Sequence, residues 1–428
     1  MKMPLRHHPF QKSGYFNRHS MNNRRKFIKN VSALGIAGAT YPLLSSCLDK
    51  SKTTPLDEKI TKIELYRYDI NIPRYFSFGT WYNRQHLFMK LTAGDFYGWS
   101  EIPASRNEPE LQPVSWVNYV KQFKGLTVSS AQKLLESQQV PNSKTSLKEM
   151  ELMDVALLDV AGRLQEKPVV ELLDLPYRDA VPGLYCILYK DEEEVRKEAE
   201  KSLEQNLGHH LKFKMYGEQE LDLKLLKTIR GVLGDESVVI SDVNSGYKNW
   251  NSLEELADII NVFKENGLNA IEDPAEMSNE QWATLQGMVG ELSLIPDKPM
   301  RPSWKGMETI RPDMGRIFNM HPSTMGSFKQ TALLANRIRE VGGKIMVGDD
   351  SLVGPACSAW QQLAIGVGAD WVEAIEKKED SALYMDCIIK SPTKKLSNGY
   401  YALEEAPGFG LVLDEERLQN ECGLYIEV

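Results

Sequence analysis

From residue 181 onward the chain alternates between short apolar runs and amphipathic helical runs, and this alternation most constrains the fold. VPGLYCILY precedes EEVRKEAEKSLEQN, LKFKMYG precedes LDLKLLKTIRGVLG, SVVISDVN precedes LEELADIINVFKENG, and LNAIEDP precedes NEQWATLQGM. LSLIPDKP leads to a looser connection. GRIFNMHPS then precedes FKQTALLANRIREVGG, KIMVGDD precedes GPACSAWQQLAIGVG, and ADWVEAIE closes the series. Alternation of this kind builds a parallel sheet sheathed by helices. Eight strands are too many and too regular for an open sheet of five or six, so an α/β fold of the (β/α) TIM-type barrel is expected. A doubly wound sheet is the alternative, but no G-x-G-x-x-G follows the first strand.

Ahead of this block, KITKIELYRYDINI, QHLFMKLTA and FYGWSEI read as three strands with turn residues between them. In TSLKEMELMDVALLDVAGRLQ the residues Leu147, Met150, Met153, Leu157, Val160 and Leu164 recur at threes and fours, which gives a helix with one buried face. Residues 58–180 therefore read as an α+β module. Between its first two strands, RYFSFGTWYNRQ carries Phe76, Phe78, Trp81 and Tyr82 around Gly79. A hairpin there is ordinarily short and polar. An aromatic one suggests a lid over a site, with Phe78 and Trp81 as substrate contacts, or local packing against the barrel. PASRNEPE offers Arg106 and Asn107 nearby.

Chemistry concentrates at the strand ends, where barrels of this kind place catalytic groups. Consecutive strands end in Lys214, Asp242, Glu272, Asp297, His321 and Asp349, spaced by 28, 30, 25, 24 and 28 residues, about one βα unit each. Six ionisable groups converging on one rim require partners or a metal. Asp242, Glu272 and Asp297 end three neighbouring strands, and three carboxylates around one hard cation suit Mg2+. Lys212 and Lys214 sit two apart in LKFKM, so both point to one side of the strand while Phe213 faces the helix layer. Two adjacent ammonium groups lower one another's pKa, and a dication lowers it further, which would make one lysine a neutral base near pH 7.

With LKFK on strand two, SDVN on three, IEDP on four and Asp297 after five, the chain resembles the enolase superfamily, in its muconate-lactonizing/mandelate-racemase branch and muconate-like subgroup. DVALLDVAGRLQEKPVVELL is similar to the last helix of that branch's capping domain, and PGFGLVLDEE to its C-terminal return to that domain. The resemblance implies a modified (β/α) barrel over residues 181–404, an α+β capping domain over 58–180 and a return over 405–428. It implies that Mg2+ binds a small carboxylate substrate and that a base removes the proton α to that carboxylate through an enediolate. By position, Asp242, Glu272 and Asp297 correspond to the metal ligands and Lys214 to the base, with Lys212 beside it.

The departures from the pattern bear on the reaction. The subgroup usually ends strand six in a second lysine, whereas this chain reads NMHPS, which puts His321 there. Strands two and six lie opposite in an eight-stranded barrel, so Lys214 and His321 would face each other across the substrate. An imidazole near its ordinary pKa of about 6.5 serves as acid or base, so one group could take the proton and the other return it. Strand five carries Asp297-Lys298 in place of the usual Asp-Glu. Dipeptide epimerases of this branch hold a substrate ammonium with two acids spaced two apart on strand eight. Here the corresponding residues are Glu373 and Ile375, and Glu373 or Glu376 is left to meet a cationic or hydroxyl group. Asp350, in GDDS on strand seven, stands where it would contact a base or the substrate.

The charge is uneven. Residues 1–46 hold eight basic side chains and no acid, which leaves 43 basic against 59 acidic residues in the remainder, about −16. A body that acidic repels phosphate backbones, so no nucleic-acid partner is expected. NRRKFIKN, the stretch VSALGIAGATYPLL and LSSC resemble a twin-arginine lipoprotein signal over 1–46, with Cys47 as the lipidated residue and a linker over 47–57. Export to the periplasm or to a membrane surface is then expected, with membrane contact only through the lipid. A homo-oligomer is compatible with the sequence. Cys186, Cys357, Cys387 and Cys422 show no metal-ligand spacing and read as free thiols.

Two functions fit these residues. The first is a Mg2+-dependent racemase or epimerase acting α to a carboxylate, with acid-sugar dehydration or cycloisomerisation sharing the same first step. The second is a lipid-anchored binding protein that keeps the scaffold without turnover. Three metal carboxylates kept together with both lysines favour the enzyme.

Overall fold

In the computed structural model, residues 55–428 are described apart from 109–110, 112 and 177–178. The leader, its Cys47 and most of the linker lie outside the described residues. The three N-terminal strands form where expected, at Ile60–Ile70, Arg84–Ala93 and Phe96–Arg106, in an antiparallel meander. Leu424–Glu427 adds a fourth strand by pairing with Ile60–Ile70, so the chain's end returns to its beginning. The helix Leu147–Leu164 lies on this sheet. Its start is fixed by a capping box in which Ser146 and Glu149 each satisfy the other's backbone N–H. The helix and sheet approach so closely at Gly98 that a Cβ there would stand 2.2 Å from the Ala156 carbonyl oxygen, which is why this strand position carries no side chain.

Eight parallel strands follow, at Tyr185–Ile187, His210–Lys214, Val238–Asp242, Ala270–Glu272, Ser293–Ile295, Ile317–Met320, Lys344–Val347 and Trp371–Val372. Strands one to five pair in sequence order, as do six to eight. Two further hydrogen bonds join these sets. The Asn319 N–H donates to the Pro296 carbonyl at 3.1 Å, and the Leu184 N–H donates to the Val372 carbonyl at 2.8 Å, bringing strand eight back to strand one. Six of these strands are only two to four residues long, yet nearly every residue in the eight is buried, as expected of strands covered on both faces. The looser connection after strand five carries a short helix, Ser303–Thr309.

Buried carboxylates tie the N-terminal module to the barrel. Glu101, 1% exposed, accepts the N–H groups of Val353, Gly354 and Ala356 at 2.9, 2.7 and 3.2 Å, at the start of the helix Pro355–Val367, where helix N–H groups lack internal partners. Asp380, beyond strand eight, binds both Arg74 and Arg84 at the two ends of the aromatic hairpin, at 2.8 and 3.0 Å. No helix among the described residues is long and apolar enough to cross a membrane. The four described cysteines are free, three of them buried.

Candidate active site

Strand register gathers the charged rim. Lys214 pairs with Asp242 across strands two and three, and Asp242 with Glu272 across three and four. Glu272 in turn faces Ile295, two residues before Asp297. The three carboxylates expected on neighbouring strand ends therefore occupy them, at 3%, 1% and 2% exposure for Asp242, Glu272 and Asp297.

Each carboxylate is turned toward a basic side chain. Lys214 Nζ lies 2.5 Å from Asp242 Oδ2, and Lys212 Nζ lies 2.7 Å from Glu272 Oε2 and 3.7 Å from Asp242 Oδ2. Arg301 forks onto Asp297, with Nε 2.7 Å from Oδ1. As these side chains stand, no three His, Cys, Asp or Glu groups among the described residues gather as a metal site. The donor chemistry nevertheless fits a hard divalent cation, because only carboxylate oxygens are supplied, on three consecutive strands. The crowding shows in their titration. Burial and the neighbouring Asp242 push the Glu272 carboxyl up, while Lys214 and Lys212 overcome burial to hold Asp242 down.

The lysines depart from expectation. Burial pulls both ammonium groups down, but Glu272, Glu373 and Asp242 outweigh it for Lys212, and Asp242 outweighs it for Lys214, so both are raised. Surrounding carboxylates, rather than the neighbouring ammonium, dominate each site. Lys214 also approaches Asn244 Oδ1 at 3.2 Å and lies 5.1 Å from the Phe76 ring centroid.

His321 departs as well. Burial, then the Arg301 charge, pushes its pKa down to about 3 rather than leaving it near 6.5, despite Asp350 nearby. Its Nδ1 lies 2.8 Å from the Pro322 carbonyl oxygen, which can only accept, so Nδ1 carries the proton and Nε2 the lone pair.

Above the rim lies a cavity of about 400 Å3, bordered by Lys214, His321, Asp297, Asp350, Glu373 and the aromatic hairpin, including Phe78 and Trp81. Lys212 is not on its wall. The hairpin, whose arms are Arg74–Phe76 and Gly79–Trp81, packs Phe76 against Phe78 and Trp81 at 5.0 and 4.2 Å between ring centroids. Ser77 Oγ donates to the Val243 carbonyl at 2.7 Å, which pins the hairpin tip to the end of strand three. Asp350 is engaged by Arg106, whose guanidinium lies 4.1 Å from the Trp81 ring centroid. Glu373 binds Lys212 at 2.7 Å, so it is not a free partner for a substrate ammonium. Asp349 binds Lys377 at 2.8 Å. Glu376 accepts from Gln361 at 3.0 Å and lies outside this cavity. A neighbouring cavity of about 420 Å3, beside Tyr185 and Tyr401, contains none of the three rim carboxylates.

Several participants were not singled out from the sequence. Asn319 donates from Nδ2 to Glu272 Oε1 at 2.7 Å; its spacing of two from His321 was the available signal. Arg301 and Lys148 carry no motif, and distant parts of the chain bring them in. Asp273 follows Glu272 with φ of 39° and accepts the N–H groups of Asp297 and Lys298 at 3.1 and 3.3 Å, shaping the turn behind the rim.

Residues 194–417 match the family model described as Enolase C-terminal domain-like. The N-succinyl-L-Arg/Lys racemase of Bacillus cereus is 22% identical over 385 residues, covering 85% of this chain and 97% of the racemase. The muconate lactonizing enzyme of Pseudomonas fluorescens, solved with muconolactone, superposes with a TM-score of 0.71 at 22% identity over 86% of this chain and 100% of that one. The dipeptide epimerase of Enterococcus faecalis, solved with Mg and the dipeptide L-Leu-L-Tyr, gives 0.68 at 15% identity over 82% and 99%.

Proposed function

The chain belongs to the Enolase C-terminal domain-like family, in the muconate-lactonizing/mandelate-racemase branch of the enolase superfamily, and from that premise we propose that it is a Mg2+-dependent enzyme removing the proton α to a substrate carboxylate. Racemisation or epimerisation is the reaction the site suits best. The observation that carries this reading is that Lys214 and His321 border one cavity together with Asp297, while Asp242 and Glu272 stand buried beside Lys214 at the ends of the next two strands. Asp242, Glu272 and Asp297 would hold Mg2+, which supplies Lewis-acid neutralisation of charge on the substrate carboxylate.

The chain's own groups then divide the work. Lys214 handles the α-proton at Nζ, kept in place by Asp242 and Asn244. His321 receives or returns a proton at Nε2, and its low proton affinity suits it to handing the proton back. Lys212 joins Glu272 to Glu373 behind the wall and acts by holding carboxylates in position. The aromatic hairpin excludes water above them. Elimination of water and cycloisomerisation share the first of these steps and are distinguished by their products.

Incubation of a library of α-substituted carboxylic acids with the protein and Mg2+ in D2O tests the reading. Deuterium is expected at the α carbon of the substrate, and Lys214→Ala should slow its incorporation by about 10²- to 10⁴-fold. No incorporation into any acid would favour a binding protein that keeps the scaffold without turnover.

A further inference from the structure

We infer that Glu151, in the N-terminal module, is a positioning residue for His321 and fixes the tautomer of its imidazole. The inference rests on the reading that His321 moves a proton at Nε2. The connection runs through a single peptide unit. The Pro322 carbonyl and the Ser323 N–H belong to one planar trans amide, so they point in opposite directions. The N–H end donates to Glu151 Oε1 at 2.6 Å, and the carbonyl end accepts from His321 Nδ1 at 2.8 Å. Turning that amide toward another partner at one end would withdraw it from the other.

The loop does not hold this amide by itself. Pro322 brings no N–H, and Ser323 sits at φ of 67°, a conformation that its surroundings must impose. Thr324 Oγ1 donates to the His321 carbonyl at 2.8 Å, which closes the turn without a bond to the Pro322–Ser323 amide. Glu151 is itself fixed. It is 2% exposed, and the same Oε1 accepts Trp360 Nε1–H at 3.1 Å from the helix Pro355–Val367. Trp360 in turn packs against Phe328, at the start of the helix that follows the loop, with ring centroids 4.7 Å apart. Glu151 is not on the wall of the active-site cavity, so it acts on a substrate through His321. Hydrogen bonds aligned in this way polarise one another. The acceptor at the N–H end strengthens the carbonyl at the other, which keeps the proton on Nδ1 and the lone pair on Nε2.

Nitrogen-15 NMR of the full chain labelled at its seven histidines reads the tautomer, with His321→Asn identifying the resonances. The wild type should carry the proton on Nδ1 at pH 7. Glu151→Met should move the tautomer ratio about tenfold toward Nε2–H, as expected for the loss of one hydrogen bond. Glu151→Gln keeps an acceptor oxygen and should restore the wild-type ratio. In D2O with Mg2+, Glu151→Met should lower kcat about tenfold for the epimer whose proton His321 handles, with KM and the other epimer's exchange unchanged. That retained exchange also reports a folded variant. A wild-type tautomer ratio in Glu151→Met, or equal losses for both epimers, overturns the inference. So does a proton on Nε2 in the wild type, a result that does not depend on the variant folding. The enzyme reading is judged separately. If no acid exchanges deuterium while the tautomer still follows Glu151, the positioning role stands and the proton-transfer reading does not.

Discussion

Lys214 and His321 reach the same cavity in different protonation states, and that asymmetry sets what each can do. Lys214 is held as an ammonium chiefly by Asp242, while burial and Arg301 keep His321 neutral down to about pH 3. Between pH 5 and 8 neither the charge nor the tautomer of His321 changes, so kcat/KM should show no limb near 6.5 attributable to it. His321→Asn should slow exchange of one epimer's α-proton by about 10²- to 10⁴-fold and leave the other's nearly intact. Proton NMR of both epimers in D2O measures this, and equal wild-type rates for the two would show that His321 moves no proton. At this scale the sequence was informative about residue type and strand-end position. It was silent on pKa, because Arg301 and the burying side chains come from elsewhere in the chain.

The helix Leu147–Leu164 does more than cover the sheet. One turn apart, Glu151 and Asp154 reach the loop that follows His321. Glu151 Oε1 accepts the Ser323 N–H at 2.6 Å and Trp360 Nε1–H at 3.1 Å, while Asp154 Oδ2 accepts the Phe328 N–H at 2.7 Å. Ser323 adopts φ of 67°, a conformation uncommon for a residue with a side chain, so this loop relies on such anchors. Burial pushes Glu151 up to about 8 and Asp154 to about 6. The folded Glu151 carboxyl is neutral where the unfolded one has ionised, so its contribution to stability is full below about pH 4.5 and is lost as pH rises toward 8. The slope for one proton is about 1.4 kcal/mol per pH unit. Glu151→Gln keeps the acceptor oxygen and removes the titration. Its stability relative to wild type should therefore rise steadily from pH 5 to pH 8 in urea unfolding. A constant difference across that range would mean that Glu151 ionises normally in the fold.

Across the whole molecule, the barrel presents carboxylates and the N-terminal module closes over them. Ion binding at the rim would link the two through stability. Mg2+ at a hundredfold excess over its Kd should stabilise the fold by about 2.7 kcal/mol, raising the melting temperature. Asp242→Asn and Glu272→Gln should each abolish that rise, as scanning calorimetry would show. A shift of wild-type size in both variants would remove these residues from the metal site.

The order of eight strand–helix units, the lysine pair on one side of strand two and an acid at each of three neighbouring strand ends could all be read from the linear chain. Each depends on local periodicity and on the length of one repeat, which the backbone carries without reference to distant contacts. Which acid meets which base could not be read in this way. The Arg301 fork on Asp297, the Lys212 bridge from Glu272 to Glu373 and the pairing of Arg106 with Asp350 arise only after closure of the barrel and docking of the N-terminal module. The same holds for the low proton affinity of His321. Burial and pairing energies depend on everything within a few ångströms, and most of those neighbours lie far away along the chain.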